Sequence, residues 1–128
     1  MRILGIDYGR KKIGLAFSAG SLAEPLKVVH FNSQREATGK VSQVANVEKV
    51  EKVVVGVSEG QMGQEAKEFG KKLSKVLKAK VDFADETLTS VTAQRLSIAA
   101  GIGKKKRRRL EDAFAACVML QSYLDDHA

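Results

Sequence analysis

Ile3-Leu4-Gly5-Ile6-Asp7-Tyr8-Gly9 is the stretch on which the fold turns. Its four leading residues form a short continuous apolar run, the pattern of a strand covered on both faces. Asp7 closes that run, where an unpaired charge is expensive and something positive should meet it. Tyr8-Gly9-Arg10-Lys11 supplies a turn, after which Ile13, Leu15 and Phe17 alternate with Gly14, Ala16 and Ser18, so a second strand pairs with the first as a hairpin. A third strand is expected from Leu26 to Phe31, entered after the only proline, Pro25.

Further on, the period changes. Ser33 and Glu36 have capping-box spacing, and Ala37, Val41, Val44 and Ala45 recur on one helical face. Lys52-Val53-Val54-Val55-Gly56-Val57 is β-branched and almost wholly apolar, which suits a buried parallel strand. Gly60 and Gly63 are expected to loosen the next loop, with Met62, Ala66, Phe69, Leu73 and Val76 marking a second helix. Val81 and Phe83 alternate in a short fifth strand. Thr89 or Ser90 can cap a third helix containing Val91 and Leu96, which Gly101 or Gly103 stops, and a last helix follows a basic run. The order βββαβαβαα predicts an α/β fold with a mixed five-stranded sheet, three antiparallel then two parallel strands, flanked by helices and joined by right-handed crossovers. That is the RNase H-like architecture. Its first strand is central, and chemistry gathers beyond the strand ends, where Asp7 and Glu86 both fall. At 128 residues, a single domain over 1–128 accommodates all of it.

The composition, 44% hydrophobic and 29% charged, is that of a globular chain and not of a disordered or fibrous one. With 22 Lys+Arg against 15 Asp+Glu the formal charge is +7, which points to a polyanionic partner such as nucleic acid; lysine-rich solubility would give the same balance. One cysteine, Cys117, excludes an intramolecular disulfide framework and a thiolate metal cluster. The first apolar run is interrupted at Asp7 and Arg10, unlike a signal peptide, and no stretch is long and apolar enough to span a membrane. A cytoplasmic protein with no membrane partner is expected.

Three acids stand out. Asp7 ends the first strand, Glu86 closely follows the fifth in Asp85-Glu86-Thr87-Leu88-Thr89, and Asp112 opens a helix that is apolar nearly all round. Asp112 shares its side with Ala116, Met119 and Tyr123, where a packed helix prefers an apolar residue. Ala113, Ala115 and Ala116 let that helix approach the sheet closely, so an acid aimed across the contact could reach Asp7. Each acid has a plainer explanation: a turn aspartate bonded to the Tyr8-Gly9 backbone, or acids at the positive ends of helices. Converging acids repel one another and raise their pKa values. Divalent Mg2+ or Mn2+ resolves this through oxygen ligands, and a two-metal site performs in-line phosphodiester displacement without a separate general base. His30 and His127 are given no catalytic role.

Lys104, Lys105, Lys106, Arg107, Arg108 and Arg109 oppose the macrodipole where they stand, so helix stability does not explain them. As phosphate contacts they would position a nucleic-acid backbone beside Asp112, with Arg10, Lys11 and Lys12 adding to the rim. A merely solvated charge run is the alternative. Such contacts carry little sequence information, so shape should matter more than base identity.

Met1-Arg2-Ile3-Leu4-Gly5-Ile6-Asp7-Tyr8-Gly9, Val54-Val55-Gly56, Asp85-Glu86-Thr87-Leu88-Thr89 and Asp112-Ala113-Phe114-Ala115-Ala116 through Leu120-Gln121-Ser122-Tyr123-Leu124 together resemble the YqgF family, also called RuvX. The resemblance runs in order along essentially the whole chain. It implies an RNase H-like, magnesium- or manganese-dependent endonuclease linked to maturation of the small-subunit ribosomal RNA precursor and to Holliday junction resolution. The family's first-strand aspartate, its Asp-Glu glutamate and its last-helix aspartate match Asp7, Glu86 and Asp112. The chain departs from the family at Gly56-Val57-Ser58, where Gly-Leu-Pro is common, and at Thr87, where arginine is frequent; neither change removes a ligand. The partner implied is structured RNA or branched DNA, and symmetric cutting of a four-way junction requires two sites, as a homodimer would supply. Two rivals stand beside this: a non-catalytic nucleic-acid-binding module of the same fold, and an actin-like ATPase or sugar kinase, which needs two such domains where this length supplies one.

Overall fold

The computed structural model describes residues 1–85 and 111–127. Within them β1 (Ile3–Asp7), β2 (Lys12–Ser18), β3 (Ala23–His30), β4 (Lys52–Val57) and β5 (Lys80–Asp85) form one sheet in the order β3-β2-β1-β4-β5. β1 is central, antiparallel to β2 and parallel to β4, and β5 extends the parallel half. Helices α1 (Gln34–Val47), α2 (Gly60–Val76) and α3 (Glu111–Asp126) flank it. This is the mixed, RNase H-like sheet that the sequence pattern predicts.

Alternation divides the sheet's side chains between two cores. Leu4, Ile6, Ile13, Leu15, Val53 and Val55 pack with Ala37, Val41 and Ala45 of α1 and Ala66, Phe69 and Leu73 of α2. Ile3, Ala16 and Val54 face the other way, against Ala116, Met119, Leu120 and Tyr123 of α3. Buried on both faces, β1 and β4 needed to be apolar throughout. Gly5 allows the α3 contact, since a Cβ there would lie 2.9 Å from the Leu120 Cβ.

Several boundaries differ from expectation. β3 begins at Ala23, and Pro25 lies inside it opposite Ala16, beside a register shift between Leu15 and Ala16. β3 is an edge strand, and an edge tolerates the missing ladder donor. Gly60 and Gly63 belong to α2 and not to a loop. Gly60 starts the helix at φ +75°, and Gly63 lets its first turn sit on the preceding connection, because a Cβ would fall 1.9 Å from the Ser58 carbonyl oxygen. Val76, expected on the apolar face of α2, is 60% exposed at its end. The Ser33 cap forms, its Oγ accepting from the Glu36 N–H at 3.2 Å, but the Glu36 carboxylate reaches back to the Asn32 N–H at 2.7 Å. The expected helix from Thr89 or Ser90 lies outside the described residues. Among the described residues no helix is long and apolar enough to cross a membrane.

Candidate active site

Asp7 ends the central strand and, by alternation, shares the α3 face with Ile3 and Gly5. Its lateral neighbours are Gly14 on β2 and Gly56 on β4, and Gly56 is followed across the sheet by Ala84 on β5. The half-buried carboxylate therefore rises from a row of residues with little or no side chain.

That row also admits α3. A Cβ on Gly14 would lie 1.9 Å from the Asp112 carbonyl oxygen and 2.8 Å from the Ala113 nitrogen, so the first turn of α3 rests on bare β2 backbone directly beside Asp7. Asp112 is thereby delivered to the face and strand end that carry Asp7. Its Oδ2 lies 3.0 Å from Lys12 Nζ, in a pair whose side chains are 31% and 53% exposed. The hydrogen bond to Asp112 and its charge hold the Lys12 ammonium above its ordinary pKa. Asp112 also stands in the first turn of α3 with Glu111, where the helix dipole favours acids, so the plainer explanation of its position holds as well.

The cations of the β1–β2 turn separate. Lys12 turns to Asp112, whereas Arg10 reaches α2 and pairs with Glu65 at 3.0 Å. Lys11 is exposed between them, its carbonyl accepting from the Phe31 N–H. Glu86 and the run Lys104, Lys105, Lys106, Arg107, Arg108 and Arg109 lie outside the described residues. Ala84, two residues before Glu86, occupies the Asp7 row. Close by, a cleft of about 310 Å³ opens at the ends of β4 and β5, lined in part by Ser58, Lys67, Phe83 and Asp85.

Asp7 and Asp112 offer hard oxygen donors, a donor set that fits Mg2+ or Mn2+ and not a soft-metal site. His127 stacks on Tyr123 at the far end of α3, and Cys117 is buried in the α3 core, so neither is a ligand here. Among the described residues no three His, Cys, Asp or Glu side chains gather closely enough to hold an ion. Sequence reasoning did not single out the glycine row or Lys12 as the counter-ion of Asp112. The signal for the first was present in Gly14 and Gly56, each at a strand position that could have carried a core side chain.

A central strand ending in an acid, with a helix pressed against it by a second acid, defines an RNase H-like protein with a carboxylate centre. The family model for RuvX, described as "Holliday junction resolvase", matches residues 1–126, and the chain belongs to that family. A Bacillus cytotoxicus protein named "Putative pre-16S rRNA nuclease" is 37% identical over 98% of each chain. Two solved structures share the fold: Thermus thermophilus RuvC in complex with a Holliday junction substrate, and the fowlpox virus resolvase with Holliday junction DNA. The first has a TM-score of 0.71 at 17% identity, covering 100% of this chain and 97% of that one. The second has a TM-score of 0.66 at 15% identity, covering 99% of each.

Proposed function

We propose that this chain is a divalent-metal-dependent endonuclease that hydrolyses phosphodiester bonds of structured nucleic acid, with Asp7, Glu86 and Asp112 as its metal ligands. The carrying observation is the seating of Asp112 beside Asp7 over Gly14, two acids distant in sequence and packed onto one face. Bound Mg2+ or Mn2+ would supply an activated water and charge stabilisation for the leaving oxygen of an in-line displacement. The chain's own part is to fix the carboxylates, to seat α3 on the bare backbone of Gly14 so that Asp112 stands beside Asp7, and to bring cations to the rim. Arg10, Lys11 and the run from Lys104 to Arg109 are assigned to phosphate backbone, and Lys12 to Asp112 until substrate arrives.

Family membership and the named relatives support two substrates, a small-subunit ribosomal RNA precursor processed at its 5′ end and a four-way DNA junction. The test is cleavage of both, with Mg2+ or Mn2+, by the wild type and Asp7→Asn. Cutting that disappears in Asp7→Asn while binding persists establishes the carboxylate mechanism, and the better substrate identifies the role. Equal cutting by the variant removes Asp7 from the site. Symmetric junction cutting would further require a homodimer, read from sedimentation. A cytoplasmic location goes with either substrate.

One observation favours the non-catalytic alternative: Asp112 has a cationic partner in Lys12, at 3.0 Å. Binding that survives chelation, together with no cleavage under any divalent ion, would establish that alternative.

A further inference from the structure

On the sheet face opposite the carboxylates, α1 and α2 enclose a groove of about 540 Å³ that the proposed chemistry leaves unused. Gln34, Arg35, Thr38 and Gly39 line it from α1, and Lys72 and Lys75 from α2, with no carboxylate among the lining residues. Arg35, Lys72 and Lys75 are exposed, and none has an ion-pair partner among the described residues. Of the three acids on these helices, Glu36 is committed to the Asn32 N–H and Glu65 to Arg10, while Glu68, exposed one turn before Lys72, lies outside the groove lining.

The groove has internal order. Lys72 Nζ donates to Gln34 Oε1, and Gln34 Nε2 donates to the Tyr8 hydroxyl at 3.3 Å. A neutral amide thus holds the lysine in place without cancelling its charge. Tyr8, next to Asp7 in sequence, is thus linked to the groove through Gln34. Gly39 is a second, independent sign. Glycine inside a helix is destabilising relative to alanine, and nothing lies within 4 Å of where its Cβ would stand, so packing does not require it. Bare helix backbone at the wall of a cationic groove allows a ligand to approach closely.

We propose that this groove is a second nucleic-acid contact, holding the phosphate backbone of a substrate arm that passes round the strand ends to the face opposite the carboxylates. It rests on the nuclease proposal for the identity of its ligand, though not on the metal centre. Three cations without an ion-pair partner among the described residues attract a polyanion and fix its orientation more than its sequence. Self-association through the same face would set Arg35, Lys72 and Lys75 of one copy against those of another, a like-charge juxtaposition that disfavours it.

The experiment measures binding of a four-way DNA junction and of a structured RNA in the presence of chelator, across a salt series. It compares the wild type with the triple variant Arg35→Gln, Lys72→Gln, Lys75→Gln and with the charge-keeping pair Lys72→Arg, Lys75→Arg. The triple variant should bind roughly tenfold or more weakly at low salt, with a salt slope shallower by about two to three, since each phosphate no longer neutralised takes close to one unit from the slope. The charge-keeping pair should follow the wild type, and thermal unfolding of both should be unchanged. If the wild type binds, and cuts once Mg2+ or Mn2+ replaces the chelator, while the triple variant keeps its affinity and slope, the groove proposal is overturned and the nuclease proposal stands. If the wild type binds neither nucleic acid, both fall. If the triple variant loses a dimer seen for the wild type while binding is unchanged, the groove belongs to a second copy and the proposal is likewise overturned.

Discussion

Two single residues carry expectations that their surroundings dictate. Lys12 is half exposed, so its ion pair with Asp112 should contribute under about 1 kcal/mol to stability. Its effect should appear in metal binding. Lys12→Gln removes a competitor for the Asp112 oxygens, and Mn2+ titration without nucleic acid should show severalfold tighter binding than in the wild type. Weaker binding would mean that Lys12 helps to assemble the centre. Cys117 behaves differently, because burial pushes its thiol from 9.0 up to about 11. Below pH 9 the thiol is protonated in both the native and the unfolded chain; between 9 and 11 only the unfolded chain ionises, so native stability falls through that window. The loss amounts to about 3 kcal/mol. Denaturant unfolding of Cys117→Ala should lack this part of the alkaline slope. At this scale the sequence was informative where chemistry is local: Asp7 was legible because an acid closing an apolar run is anomalous. Lys12 was not, because a lysine in a basic turn looks like any other until its partner is placed.

Among the elements, α3 and its docking onto bare strand backbone matter most. Gly14→Ala puts a methyl where the Asp112 carbonyl stands, and neither backbone can yield without lifting the first turn of α3. A cost of about 1–3 kcal/mol is expected, with loss of cleavage. Gly20→Ala, which meets nothing within 4 Å, should leave both unchanged. The far end of α3 is held by the Tyr123 hydroxyl, which donates to Asp82 Oδ2 at 2.8 Å. That bond, followed by the Phe83 N–H, holds the Asp82 carboxyl below its ordinary pKa. A lowered pKa stabilises the fold above the unfolded carboxylate range, and this stabilisation is lost as pH falls through the folded value. Tyr123→Phe should therefore cost about 1 kcal/mol near neutral pH, the difference shrinking in acid, as measured by denaturation at both. Elements were legible where burial on both faces forces a pattern, as in β1 and β4. They were misread where a residue has two uses. Gly60 and Gly63 signal a loop and equally a close helix start, and Pro25 ends a central strand but not an edge one.

For the whole molecule, a +7 chain that makes on the order of six to ten phosphate contacts should lose roughly 10³–10⁵ in affinity for structured nucleic acid between 50 and 200 mM salt. A flat salt response would show that its basic residues serve only solubility. The sheet order followed from the element order, but the meeting of Asp7 and Asp112 depended on topology: only once α3 is known to cover the Ile3–Ala16–Val54 face does the second acid have a place. That arrangement also has a consequence for synthesis. Chains emerge from the ribosome N-terminus first, so β1 to β5 are available before α3 has been translated. Until then the nascent protein carries an open apolar face and lacks one of its three proposed metal ligands. The proposed enzyme is therefore silent on the ribosome that is making it, and gains the means to cut only when its own last-docking helix has arrived.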